Sequence, residues 1–188
     1  PDISNELDSL IMHNLNILEK NTGFVLGDPE KPLLLSVRSG APMSLPGAMN
    51  TFLNIGLNDE VTYKLSRRPN YGWTAWDCYR RLIQSWGMAY GILRDEFDAI
   101  MIKYKKRYDV ELKTQFSSAQ MQEMVQDYKN VLFEHNLELE QNPFMQLYKA
   151  ISNVLDSWNA DRARLFRQKL HIADEWGTAV IIQQMILG

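Results

Sequence analysis

The chain has 188 residues, enough for one domain or one domain with an insertion and too few for two separately cored domains. Hydrophobic residues make up 45% and charged residues 23%, which excludes a disordered or fibrous chain and supplies material for a core. A net charge of -3 argues against a protein built to neutralise nucleic-acid backbone, and the single cysteine, Cys78, excludes an internal disulfide and a thiolate cluster and suits a reducing compartment, the cytoplasm.

No stretch approaches the roughly 20 apolar residues of a membrane-spanning helix, and the start, Pro1-Asp2-Ile3-Ser4, lacks a basic segment followed by an apolar signal core, so no membrane partner is expected. Without an initiator Met, and stopping just after an apolar run, the sequence is expected to be an excised piece of a longer one.

Ile3, Leu7, Leu10, Ile11, Leu15 and Leu18 recur at helical spacing, and Gly23 is placed to stop that helix. After a turn at 27–32, the run Leu33-Leu34-Leu35-Ser36-Val37-Arg38 is short, apolar and bounded by Pro and Gly, which predicts a buried strand. Residues 39–51 hold too many Gly, Pro and hydroxyl residues for regular structure and are expected to form a loop. From Thr74 the spacing turns helical: Trp76, Tyr79, Leu82, Ile83, Trp86 and Tyr90 form one apolar face, and Phe97, Ile100, Met101 and Tyr104 form a second after the acidic opening Asp95-Glu96. Ser117 and Ser118 can cap a helix carrying Met121, Met124, Val125, Tyr128, Val131 and Leu132. Asn142-Pro143 opens a long helical stretch with an expected break at Asn159, and the β-branched run 180–182 is a candidate central strand. The order predicts an α/β (α+β) domain, helix-rich, whose sheet is interrupted by a helical insertion at 59–142.

Little chemistry is visible in the usual places. His13, His135 and His171 lie far apart without metal-ligand spacing, and Cys78 between aromatic neighbours reads as packed. Asp95, Glu96 and Asp98 suit a helix N-terminus, and the basic run Lys103, Lys105, Lys106 and Arg107 suits a solvated helix face. The segment 36–51 differs, because a strand delivers Arg38 to a turn containing Ser39, Gly40, Ser44, Gly47 and Thr51. Glycine lets backbone N–H groups approach a phosphate chain, and arginine supplies a fixed cationic fork. An ordinary surface turn accounts for the same composition, and neither a P-loop nor a dinucleotide fingerprint is present.

The stretch SVRSGAPMSLPGAMNTFLNIGLND at 36–59 resembles the signature SVRSGAxxSMPGMMDTxLNLGLND of the nucleotide-binding domain of pyruvate, phosphate dikinases. The resemblance extends through WDCYRRLIQSWG at 76–87, AISNVLDSWNADRARLFRQKLHI at 150–172 and WGTAVIIQQMILG at 176–188, so it covers essentially the whole chain. It implies that 1–58 and 143–188 are part of an ATP-grasp-like nucleotide-binding domain, with 59–142 as the helical insertion. It implies ATP and Mg2+ as cofactors, and nucleotide or phosphate contacts at Arg38, Ser39, Gly40, Gly47, Ala48, Met49, Asn50 and Thr51. It further implies partners within a full-length chain, namely phosphohistidine and pyruvate-binding domains absent here, and a homodimeric full-length protein. The activity implied is phosphoryl transfer from ATP through a histidine to pyruvate, with this piece inactive alone. Three residues depart from the pattern: Leu45 and Ala48 replace methionines, and Asn50 replaces an aspartate. A phosphoenolpyruvate synthase-like dikinase, or a non-catalytic helical interaction module, are the alternatives.

Overall fold

The computed structural model describes residues 5–40, 47–173 and 176–186. Ser44 and Leu45, singled out above, lie outside the described residues, as does Ile3.

Helix α1 spans Asn5–Thr22 and ends at Gly23, whose φ of +72° suits a glycine after a helix C-terminus. Strand β1 (Leu35–Ser39) is the centre of a three-stranded antiparallel sheet, between β2 (Thr51–Ile55) and β3 (Val180–Gln184). Two expectations change here. The apolar run begins two residues before the strand: Leu33 and Leu34 are buried, but the Leu33 N–H donates to the Val25 carbonyl at 2.8 Å rather than to the sheet. The run at 180–182 forms an edge strand, not the central one. Its burial alternates along the strand, whereas Leu35, Ser36 and Val37 of β1 are buried in succession. β-Branched composition favours a strand without saying which side of its neighbour it takes.

Strand β2 lies inside what the sequence presents as a loop and its exit. It pairs Ile55 with Leu35, Phe52 with Val37 and Thr51 with Arg38, so Leu53 and Asn54 together oppose Ser36 in a bulge. Asn54 takes the left-handed conformation at φ +65° and its side-chain amide donates to the Cys78 carbonyl at 3.2 Å.

The stretch between β2 and residue 142 is helical apart from its turns. It comprises α2 (Asp59–Ser66), α3 (Gly72–Ala89), α4 (Arg94–Tyr108), a short 3-10 turn (Lys113–Gln115) and α5 (Ser118–Glu134). The eight-residue α2, not foreseen from the sequence, is capped by Asn58, whose side chain accepts the Val61 N–H at 2.8 Å. Ser117 caps α5 in a reciprocal box with Gln120, satisfying helix-end N–H groups as its sequence position predicts. Tyr90 ends α3 at its C-cap, where its ring tilts against Trp86 at 5.6 Å. At Gly87 a Cβ would lie 2.7 Å from Phe97 and 2.8 Å from Leu132, so glycine is what lets α3, α4 and α5 close on one another.

Buried Asp77 and Arg80 on α3 are paired, whereas the buried Thr62 hydroxyl and the indole N–H groups of Trp73 and Trp86 have no hydrogen-bond partner among the described residues. Asp77 accepts from Arg80 at 2.9 Å and from Lys113 at 2.8 Å, and Arg80 also donates to Tyr128 at 3.2 Å. Burial pushes the Asp77 carboxyl up, but the Lys113 and Arg80 contacts together outweigh it and hold it below the ordinary carboxylate range.

Helix α6 (Pro143–Ser157), capped by Asn142, packs on β1 and β2, and α3 packs on β2 with Trp86 edge-on to Phe52 at 5.7 Å. After a break at 158–160 comes α7 (Asp161–Lys169). The sheet therefore has a helix-covered face, carrying Leu35, Val37, Phe52 and Ile55, and an outer face on which Arg38, Thr51, Leu53, Ile181 and Gln183 are exposed.

Candidate functional site

Arg38 is the last residue but one of β1. Strand alternation sends Val37 into the core and Arg38 to the outer face, level with Thr51 on one side and Ile181 on the other. Its guanidinium donates to the Gln183 side-chain oxygen at 3.1 Å, which draws it along the outer face of β3.

Ser39 and Gly40 are fastened to the segment entering β3. The hydroxyls of Ser39 and Thr178 are 2.7 Å apart, and the Gly40 N–H donates to the Ala179 carbonyl at 2.7 Å. A Cβ at Gly40 would sit 3.0 Å from Ile181, so the two chains approach as closely as glycine permits.

After residues 41–46, Gly47 has φ +68° with open space where a Cβ would be; its glycine character serves the backbone conformation. Ala48 and Asn50 direct their side chains toward the 143–169 helical stretch. Ala48 is fully buried in a small cluster with Trp158 and Ala163, against which Met49 packs. The Asn50 N–H donates to Ser157 Oγ at 3.2 Å, its Nδ2 donates to Asn153 Oδ1 at 2.7 Å, and its Oδ1 accepts from Arg162. Arg162 Nε also donates to the Ala48 carbonyl at 2.9 Å. Trp158 is itself braced, with the Arg167 guanidinium 4.4 Å above its ring and its indole N–H donating to the Trp176 carbonyl at 2.6 Å.

The structure thus brings the eight expected residues to one end of the sheet and divides their labour. Arg38 and Thr51 present side chains outward, Gly47 presents backbone, and Ala48 and Asn50 anchor the turn to α6 and α7. In these contacts the side chains bonded to 48–50, those of Ser157, Asn153 and Arg162, are neutral or cationic.

Arg162, Asn153, Ser157 and Gln183 were not singled out from sequence. Arg162 and Asn153 fall within the stretch 150–172 that carries the resemblance, but an arginine in the first turn of an exposed helix has no local mark of a partner more than a hundred residues away. The remaining titratable candidates lie elsewhere. His13 is exposed on α1, His135 sits 2.8 Å from Glu96, and His171 follows α7 with φ +54°. Burial raises the Cys78 thiol, which keeps it protonated as a packed group.

The family described as pyruvate phosphate dikinase, AMP/ATP-binding domain, matches residues 2–188. The chain belongs to this family. It is 42% identical over 180 residues to the chloroplastic pyruvate, phosphate dikinase of Mesembryanthemum crystallinum, covering 95% of this chain and 19% of that protein. It is 39% identical to the pyruvate, phosphate dikinase of Rhizobium meliloti (strain 1021), covering 95% and 20%, and 36% identical over 172 residues to that of Rickettsia conorii, covering 91% and 20%. The chain spans about one fifth of the length of these curated relatives, and the match makes it the ATP-binding part of a pyruvate, phosphate dikinase-like protein. Among the described residues no helix is long and apolar enough to cross a membrane.

Proposed function

We propose that residues 38–51 hold the phosphate chain of ATP. Arg38 supplies the cation, Thr51 supplies a hydroxyl and the backbone of 47–49 supplies closely approaching N–H groups, while Ser39 and Gly40 hold the other edge of the site through Thr178 and Ala179. The observation supporting this most strongly is the register of Arg38 with Thr51 on the exposed face, beside a turn whose side chains at 48 and 50 are committed inward. One guanidinium, one hydroxyl and main chain are what remain to meet a ligand.

The parent protein is then a phosphotransferase of dikinase type. ATP phosphorylates a histidine on another domain of the same chain, the phosphoryl group passes to pyruvate, and ATP, phosphate and pyruvate become AMP, pyrophosphate and phosphoenolpyruvate. This segment contributes positioning and charge stabilisation, the main tasks of a protein in phosphoryl transfer. The turn does not fit a Mg2+ site of its own. Such an ion ordinarily takes a carboxylate, whereas Asn50 is neutral and its oxygen is engaged by Arg162. Mg2+ is read as arriving on the nucleotide's own phosphates.

We also read 1–58 and 143–188 as part of an ATP-grasp-like nucleotide-binding domain and 59–142 as its helical insertion. Support comes from the junction. Asn58 Nδ2 donates to the Gln141 carbonyl at 3.0 Å and the Asp59 N–H donates to Gln141 Oε1 at 3.0 Å, so the stretch leaves and re-enters at one point. The lone Cys78 supports a reducing compartment, read as the cytoplasm, for the parent protein; several plant relatives carry "chloroplastic" in their names.

The test pairs this chain with its full-length parent, each incubated with ATP, phosphate, Mg2+ and pyruvate. The expected result is phosphoenolpyruvate from the parent and none above a no-protein blank from the 188-residue chain. Product from the short chain, or none from the parent, overturns the proposal.

A further inference from the structure

We propose that Arg162 is a positioning residue for the phosphate turn: from α7, it sets the conformation of residues 48–50 in which the backbone of 47–49 can meet an anion. This rests on the reading of 38–51 as an ATP-phosphate site and assigns a determinant of its geometry outside the 36–59 signature.

Three observations carry it. First, one guanidinium makes two different contacts with the turn, Nε to the Ala48 carbonyl at 2.9 Å and a terminal nitrogen to Asn50 Oδ1, so it fixes main chain and side chain at once. A planar fork of this kind orients as well as attracts, which a lysine cannot reproduce. Second, the Ala48 carbonyl is turned onto Arg162. A carbonyl directed at an incoming phosphate would repel it; engaged from behind by a cation, its peptide dipole is held the other way. Third, Asn50 passes the constraint on, because its Nδ2 donates to Asn153 Oδ1 and its N–H to Ser157 Oγ on α6. The turn is consequently held between two helices, and Thr51, the next residue, enters the ladder opposite Arg38. Arg162 and Arg38 therefore act on opposite sides of one short segment. Arg38 faces the ligand, and Arg162 holds what the ligand meets.

A tether serving only to dock α7 would make the same contacts, so the test needs readouts that docking would not produce. In the full-length protein, Arg162→Ala, Arg162→Lys and a control on the same helix, Lys169→Ala, are compared by hydrogen exchange of the peptide covering 47–51 without nucleotide, by melting temperature, and by KM for ATP and kcat. The expected result for Arg162→Ala is exchange in 47–51 faster by roughly tenfold, the factor corresponding to 1.4 kcal/mol. KM for ATP should rise by a similar factor and kcat fall by less. Arg162→Lys, which keeps the charge but can reach one acceptor at a time, should fall between, and Lys169→Ala should match wild type in every readout. Unchanged exchange in 47–51 overturns the inference, as does faster exchange spread evenly through α6 and α7 with a lowered melting temperature and unaltered KM. The nucleotide-free exchange measurement stands apart from the phosphate-site reading. That reading fails separately if Arg38→Ala leaves ATP handling unaltered.

Discussion

Replacing Gln146 by Met tests how the sheet is joined to the helices. Gln146 sits on α6 with no exposed surface, and its side chain completes three hydrogen bonds to backbone outside its own helix. Oε1 accepts the Gly56 N–H at 2.7 Å, while Nε2 donates to the Leu57 carbonyl at 3.0 Å and to the Glu140 carbonyl at 2.8 Å. Gly56 needs this support, since it runs at φ +106° with its Cα against the Leu33 carbonyl, where a Cβ would lie 2.7 Å away. Methionine keeps the length and bulk of glutamine, so little cavity forms, but the backbone groups lose their partner. A buried donor or acceptor left unsatisfied costs about 1–3 kcal/mol. The contacts to Gly56 and Leu57 are fully buried and that to Glu140 is partly open to water, which sets the expected loss near 3–5 kcal/mol. For a chain of this size each kcal/mol lowers the melting temperature by about 2–4 °C, so a fall of roughly 10 °C is expected by calorimetry. Urea unfolding should give the same energy, and hydrogen exchange should accelerate first around 56–58 and 140–142. A loss below about 1 kcal/mol would refute the reasoning, because it would mean that water or a backbone shift satisfies all these groups without cost.

Asp77→Asn should destabilise the bundle by about 3 kcal/mol near neutral pH, because it leaves buried Arg80 without its carboxylate. Asp77 is depressed in the folded chain, so its stabilisation is fully present above the ordinary value of 3.8 and fades as pH falls through the lower folded value. The unfolding curves of wild type and Asp77→Asn should converge on acidification below that point, and a gap independent of pH would contradict the assignment. Ala48→Met, which restores the residue of the family signature, should cost about 1–3 kcal/mol by overpacking Trp158 and Ala163, as read from urea midpoints. Unaltered stability would show slack in that cluster.

What the sequence made legible followed from local signals. The apolar spacing of α1, the Ser117 cap of α5, Asn142-Pro143 before α6 and the interruption at Asn159 each rest on residues within a turn or two of one another, and each has its counterpart in the structure. Strand β2 escaped because its pairing comes from β1 and because the bulge at Asn54 breaks the alternation that marks a strand. The edge position of β3 likewise depends on partners rather than on its own residues. At the site, Arg38 and Gly47 were legible as chemical types, a cation and a residue free to adopt positive φ. The inward commitment of Ala48 and Asn50 was not, since it is made by Arg162, Asn153 and Ser157, which reach the turn only through the packing of α6 and α7 against it. The short helix α2 carries too few residues for its periodicity to stand out.

The central claim, that Arg38 and the turn beside it grip the phosphates of ATP, is tested most directly by single-turnover phosphorylation of the histidine in the full-length protein, wild type against Arg38→Ala. Arg38 is exposed and donates to Gln183 at a strand edge, so its removal should alter stability by no more than about 0.5 kcal/mol. Loss of a charge-assisted contact to a phosphate that gains charge in the transition state costs about 2–4 kcal/mol, so the account predicts phosphorylation slowed by roughly 30- to 1000-fold in a protein that melts normally. An unchanged single-turnover rate in the folded variant would contradict it.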